Sequence, residues 1–359
     1  MFLHKPFLPS ILLLGLLLVA SCQVNISADD ESLPPPPITD FEKGIFIANN
    51  GNPQDGTSGS ISFYERIGDQ VENDIFQKAN NNRLLGSNVR QVRVWNGFAY
   101  ILVEDANKLE IVRAQNFVTQ GAVGSFERPR FFLPIDDQKA YISQWGANGL
   151  TGSVEVFDLG RRTVVKSIPT RGGAGQMVRQ GNFVYLVNDG GIQLDSVISK
   201  INVQEDKVVK VIDVGVAPQS LQLDQNGHLW VLSRGVQDQV NPDNDRPGRL
   251  IRLVDDVVQT DIELGKGAAD LVANQPGDQL YFRNEGWIYR LGLTDNRLPD
   301  VPFLARAFTS LAVDPWSNHL VVADPANFQR PGDVLIFDQN GREISKFQVG
   351  VFPLYFWFE

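Results

Sequence analysis

The chain has 359 residues, 32 Lys+Arg against 42 Asp+Glu, and a formal net charge of −10. So acidic a chain offers no basic face to a phosphate backbone, which excludes nucleic acid as a partner. With one Cys and three His it lacks the ligands for a disulfide framework or a Cys/His zinc site, and the expectation is no metal and no cofactor.

Lys5 precedes an apolar run from Ile11 to Ala20. As a helix this run would span about 15 Å, roughly half a bilayer core. It therefore reads as the h-region of a secretory signal peptide and not as a membrane span. The run ends Val19-Ala20-Ser21-Cys22, which resembles the lipobox of bacterial lipoproteins. There, cleavage before the cysteine follows attachment of diacylglycerol to its sulfur, which makes Cys22 the lipidation site. Gln23 stands where inner-membrane retention would use Asp. The expected location is the outer membrane, lipid-anchored and exposed at the cell surface, with the periplasmic leaflet as the alternative. The expected divisions are a signal peptide (1–21), a lipid anchor with an acidic, proline-rich tether (22–43) and a folded domain (44–359). Asp29-Asp30-Glu31 reads either as an export tract or as a solvated linker run. Pro34 to Pro37 favour polyproline II, and residues 23–43 reach at most about 70 Å.

From Gly44 onward one unit recurs. Trp95-Asn96-Gly97-Phe98-Ala99-Tyr100 matches Asp136-Asp137-Gln138-Lys139-Ala140-Tyr141 and Gln180-Gly181-Asn182-Phe183-Val184-Tyr185. The same phase returns at Trp230, Tyr281 and Val321, with steps of 41, 44, 45, 51 and 40 residues. Each unit continues into an alternating third strand, such as Gly152 to Asp158, and a fourth, such as Val208 to Val214. Period-two alternation with β-branched and aromatic residues is a strand pattern, and no sustained helical stripe follows the signal peptide. Four antiparallel strands per repeat is a propeller blade. First strands begin near Arg90, Arg130, Gln176, Gln219, Asp270, Thr309 and Pro353. The predicted fold is thus all-β, a seven-bladed β-propeller. The C-terminal strand Phe352 to Phe358 pairs with the N-terminal blade and closes the ring, which also removes an open sheet edge. The stretch from Glu65 to Arg90 is poorly patterned.

Propeller topology places the two-to-three loops and the blade-to-blade connections on one face and the one-to-two turns on the other. The two-to-three loops vary most, the longest running from Arg234 to Gly248, and variability marks the binding face. The candidate ligand-binding residues on this loop face are Trp145, Asn188, Asp189, Arg234, Asn284, Asp324 and Phe328. From the blade connections come Arg130, Arg171 and Arg306, alongside Arg90, Arg128 and Lys266. Arginine suits amides or a phosphate through its fixed donor fork. These arginines read equally well as partners of loop carbonyls and carboxylates, and Trp145 and Phe328 as loop packing. His228 and His319 share one repeat phase, which puts both on the turn face. No imidazole then reaches the loop face for a Ser-His-Asp triad, and no catalytic residue is assigned. Asp189, Glu104, Glu285 and Asp324 leave carboxylate chemistry open. Asp243-Asn244-Asp245 lacks the glycine and terminal glutamate of a calcium loop.

Gly44-Ile45-Phe46-Ile47-Ala48-Asn49-Asn50-Gly51 with Gly59 to Tyr64 resembles the YncE-like seven-bladed propeller lipoproteins of Gram-negative outer membranes. So does Leu85 to Arg90 leading into Tyr100-Ile101-Leu102-Val103 and Asn107 to Val112. That group includes surface propellers that capture cobalamin and pass it to a TonB-dependent transporter. The resemblance implies a non-enzymatic surface protein that takes a small polar or macrocyclic, cobalamin-like ligand, with such a transporter as partner and the membrane touched only through the lipid anchor. It carries no individual binding residue. The alternatives are a protein-binding scaffold or adhesin and, third, a carboxylate- or metal-dependent hydrolase or lactonase.

Overall fold

The computed structural model describes residues 40–359; Cys22, the signal sequence and most of the tether lie outside the described residues. Seven antiparallel sheets follow one another along the chain. Blades 1 to 6 occupy residues 89–123, 129–170, 174–213, 218–264, 269–292 and 310–351. Blade 7 joins both chain ends: Pro353–Phe358 is its inner strand, followed outward by Gly44–Asn49, Ser60–Glu65 and Gln70–Glu72. The pairs Ile45–Phe358, Phe46–Trp357 and Ile47–Phe356 close the ring as the sequence predicts. Arg66 seals the seam by donating to the Glu359 carbonyl at 2.7 Å, while the Glu359 amide donates to Gly44.

Position within a blade explains the sequence pattern. Second strands such as Phe98–Val103 and Phe183–Asn188 have neighbouring blades on both faces, so they read as nearly continuous apolar runs. Outer strands such as Lys207–Asp213 expose all but a few side chains. The core is accordingly a ring of clusters between adjacent blades. One of them stacks Tyr100 of blade 1 on Phe132 of blade 2, with ring centroids 4.5 Å apart.

Three local features differ from expectation. Blade 5 has three strands, and its fourth position is held by a single bridge from Ile288 to Leu304. Pro299 and Pro302 in that segment cannot donate to a ladder. The weakly patterned stretch after Glu65 holds the short outer strand Gln70–Glu72 and one helix, Ile75–Ala79, which buries Ile75 and Phe76. The tether, expected to reach residue 43, ends earlier: Phe41 is buried against Phe46, Phe63 and Phe117. Phe41 and Glu42 border the blade 1 turn at Trp95, Asn96 and Gly97, so the chain enters on the turn face.

Candidate functional site

The inner strands surround a central cavity of about 620 Å³. Arg93, Gln176, Gln222, Asp270 and Tyr355 give it polar walls among Phe131, Leu133 and Leu311. Inner strands begin at the loop face, and there the first five blades share a device. Register slips between Val89 and Gln91, Pro129 and Phe131, Ala174 and Met177, Pro218 and Ser220, and Ala269 and Val272. Each bulge frees a residue from the ladder and re-aims it. In blades 1 and 2 the freed residues are Arg90 and Arg130. At two of the bulges, Gln91 accepts from the Phe132 amide at 2.6 Å and Gln176 from the Leu221 amide at 2.8 Å, tying blade 1 to blade 2 and blade 3 to blade 4.

The arginines at blades 1 and 2 converge on one carboxylate. Glu104, at the end of the second strand of blade 1, is almost fully buried. It receives Arg90 Nε at 2.5 Å, Arg128 Nε at 3.1 Å and a terminal nitrogen of Arg130 at 3.0 Å. Trp145, from the loop of blade 2, lies beside the same cations. The Arg130 guanidinium carbon sits 3.5 Å from its ring centroid and that of Arg128 4.9 Å. The ring is half-buried, and its faces serve guanidiniums before any ligand. Burial, then the like charge of Arg90, pushes the Arg130 guanidinium down to about 9, against the pull of Glu104. Arg130 Nε is buried and has no hydrogen-bond partner.

Asp189 belongs to the same region. Burial raises its carboxyl above the usual range, offset in part by the Gly191 amide at 2.9 Å and by the charges of Arg130 and Arg234. Close backbone packing fixes this loop: a Cβ on Gly173 would lie 1.9 Å from the Asp189 carboxylate, and one on Gly191 would lie 2.2 Å from the Gly149 carbonyl. The loops of blades 2 and 3 are thereby locked together. Arg234 is exposed at the start of the long loop of blade 4, and among the described residues it makes no ion pair.

The other predicted residues stand apart from this cluster. Arg171 is paired to Asp195 through Nε at 2.5 Å and a terminal nitrogen at 3.1 Å. Arg306 pairs with Asp324 at 3.0 Å and lies 3.7 Å from Glu343. Phe328 packs edge-on against Phe352 at 5.0 Å and is 47% exposed. Asn188 is fully buried; it donates to the Arg171 carbonyl at 2.8 Å and accepts from Ser199 at 2.7 Å. Asn284 is buried as well. Both residues end second strands, and Asn284 Oδ1 has no hydrogen-bond partner. In the long loop, Asp245 is taken by Lys266 and by the Asp238 amide, and Asp238 by Asn244 and two backbone amides. The structure brings Arg90, Arg128 and Glu104, named from the sequence as blade-connection cations and a loop-face carboxylate, together with Arg130. Their signal in the sequence is the Arg128-Pro129-Arg130 triplet in the same phase as Asn88-Val89-Arg90.

His228 begins next to the turn of blade 4, with Nδ1 at 3.4 Å from Asp224, and lines a turn-face cleft with Asp255 and Asp256. His319 occupies the equivalent turn of blade 6, its amide donating to Ser317 and its carbonyl accepting from Asp314.

The family described as "Domain of unknown function (DUF5074)" matches residues 43–359. No curated protein matches the chain. Among solved structures it is similar to a quinonprotein alcohol dehydrogenase-like protein of Bacteroides thetaiotaomicron, at 16% identity and a TM-score of 0.68, covering 89% of this chain and 79% of that one. It is also similar to hydrazine synthase of Kuenenia stuttgartiensis, at 13% identity and a TM-score of 0.62, covering 79% and 90%. At such identities the likeness is one of fold.

Proposed function

The chain belongs to the DUF5074 family, and we propose that it is a surface-anchored binding protein whose loop face captures a polar ligand. The ligand class is a cobalamin-like or other polar macrocyclic nutrient, and the partner is an outer-membrane transporter of the TonB-dependent kind. Cys22 supplies the lipid anchor. The observation that carries this reading is the uneven charge at the loop-face mouth. There Arg90, Arg128, Arg130 and Arg234 outnumber Glu104 and Asp189 in a chain of net charge −10. The entry of the chain on the turn face supports the same orientation, since an anchor there leaves the loop face free. Binding is favoured over catalysis because both histidines of the domain sit among turn-face contacts, remote from this mouth.

The test is co-elution. The purified protein is mixed at micromolar concentration with cobalamin, cobinamide and haem and passed over a sizing column. A coloured corrinoid travelling with the protein, and lost in Arg234→Ala, is the expected outcome. Free passage of all three ends the capture reading. A protein-binding scaffold is the second reading, and it rests on Phe328 and on Val240, 93% exposed on the long loop.

A further inference from the structure

The Arg90–Arg128–Arg130 cluster has a donor surplus that the protein itself does not absorb. Each guanidinium brings about five N–H donors, and one carboxylate offers about four lone-pair sites. Among the described residues, all ion pairs of these three arginines run to Glu104. Arg90 and Arg128 spend Nε on it, so their terminal nitrogens remain; Arg130 spends a terminal nitrogen and keeps Nε unpartnered. The nearby carboxylates are committed elsewhere: Glu127 accepts from the Ala147 amide and Asp105 from Asn88.

Three cations meet one shared carboxylate, Glu104, with Asp189 acting on Arg130 by charge alone, and the group is partly desolvated. Arg130 is the most buried of the three, with a side chain 13% exposed, against 25% for Arg90 and 35% for Arg128. Arg130, though pushed down, keeps its proton at neutral pH, so the like-charge crowding persists there. It is relieved by an anion. Arg90 and Arg128 are open enough to solvent for one to arrive.

We propose that Arg90, Arg128 and Arg130 form an oxyanion subsite at the loop-face mouth, built for a phosphate group. The three guanidiniums leave from two inner-strand bulges and from the segment between them and reach one point from three backbone positions. Glu104 already takes one nitrogen from each of the three and leaves the rest of each fork unspent. The tetrahedral oxygens of a phosphate or phosphodiester offer an acceptor to each of three such donors. This assigns one charged group of the ligand captured on the loop face, and it rests on that face being the binding face.

The probe is inorganic phosphate, with dimethyl phosphate as the diester, followed by titration calorimetry and thermal unfolding of the purified protein. Acetate and chloride at matched ionic strength are the controls. Phosphate is expected to bind and to raise the midpoint of unfolding, and Arg130→Gln to weaken binding at least tenfold. Arg128→Gln, at the most exposed of the three, is expected to do the same without the risk of misfolding. Lys207→Gln, an equal loss of charge on the turn face, is expected to leave binding unchanged. Equal responses to phosphate, acetate and chloride would overturn the proposal, as would undiminished phosphate binding in both arginine variants. Phosphate binding without corrinoid binding supports the subsite and removes the nutrient assigned above. Corrinoid uptake that is indifferent to phosphate and to both substitutions keeps that nutrient and removes the subsite.

Discussion

The two faces of the ring treat buried charge in opposite ways. On the turn face, aspartates at tight turns pin one blade to the next. Asp256 of blade 4 accepts from Tyr185 of blade 3 at 2.6 Å and pairs with Lys200 at 2.8 Å and Lys210 at 3.2 Å. Asp206 of blade 3 does the same for Tyr141 and Lys139 of blade 2. Within blade 7, Asp69 takes Tyr64, whose hydroxyl is pushed up to about 12 by burial and by that aspartate. These phenols stay protonated through the ordinary pH range, so the pins are constant. On the loop face Glu104 meets three guanidiniums and satisfies them only in part. A polar network whose donors and acceptors balance stabilises a fold. One left with surplus donors beside solvent is open to a further acceptor, and in that the two faces differ although both use the same residue types.

Glu104→Ala is the largest break in that contrast. Removing the shared partner leaves three crowded cations, and loss of one member of a buried ionic group costs about 3–5 kcal/mol. Urea denaturation would show it, and added phosphate should restore part of the loss. A change below about 1 kcal/mol would mean that solvent already screens the cluster.

Asp256→Asn comes next. Burial alone would raise its carboxyl, but the bonds from Lys200, Tyr185 and Lys210 outweigh burial and hold it low. Glu110 is likewise held low: against burial stand Arg83, Thr119 and Lys108. Depressed carboxylates contribute stability that is fully present above their unfolded pKa of about 4 and is lost as pH falls through the folded value. Asp256→Asn should therefore cost about 1.5–3 kcal/mol at pH 7, and the gap to the parent protein should close on acidification below about pH 4. A gap that persists in acid would assign the effect to packing. Asn188→Ala sharpens the contrast within the loop face itself. It strands the Ser199 hydroxyl and the Arg171 carbonyl, for about 1–3 kcal/mol, while ligand affinity should be unchanged. A selective loss of binding would return Asn188 to the site.

Blade count, ring closure and the face of each histidine were legible because they follow from the phase of a repeat, which any single strand reports. The missing fourth strand of blade 5 was not read, although Pro299 and Pro302 stand where it would pair and cannot donate to a ladder. Phe41 was not legible: a lone aromatic in a polar tether looks the same docked or free. Nor was the five-residue helix Ile75–Ala79, too short to show a period. At the site, the arginines of the blade connections stood out by type, but their convergence on Glu104 depends on bulges that slip the register by one residue. The burial of Asn188 and Asn284 had a fainter trace. Both end a second strand, as does Asn49, whose amide donates to Ser60 and Ser62.

Phe328→Ala is the smallest test and bears on what the loop face presents. Phe328 holds a positive φ of 63° in the loop of blade 6 and meets Phe352 edge-on beside the closing strand. An aromatic pair of this kind contributes about 0.5–1.5 kcal/mol beyond buried area, and with nearly half the ring in solvent the lower end applies. Alanine also disfavours positive φ, as phenylalanine does, so the backbone term cancels. The expected result is a loss below about 1 kcal/mol with the anion response of the Arg130 region intact, because Phe328 and Trp145 sit on different blades. A loss well above that would make Phe328 a structural clasp for the ring seam. The scaffold reading would then lose its principal exposed aromatic, and the uneven charge at blades 1 and 2 would stand as the feature that distinguishes this face.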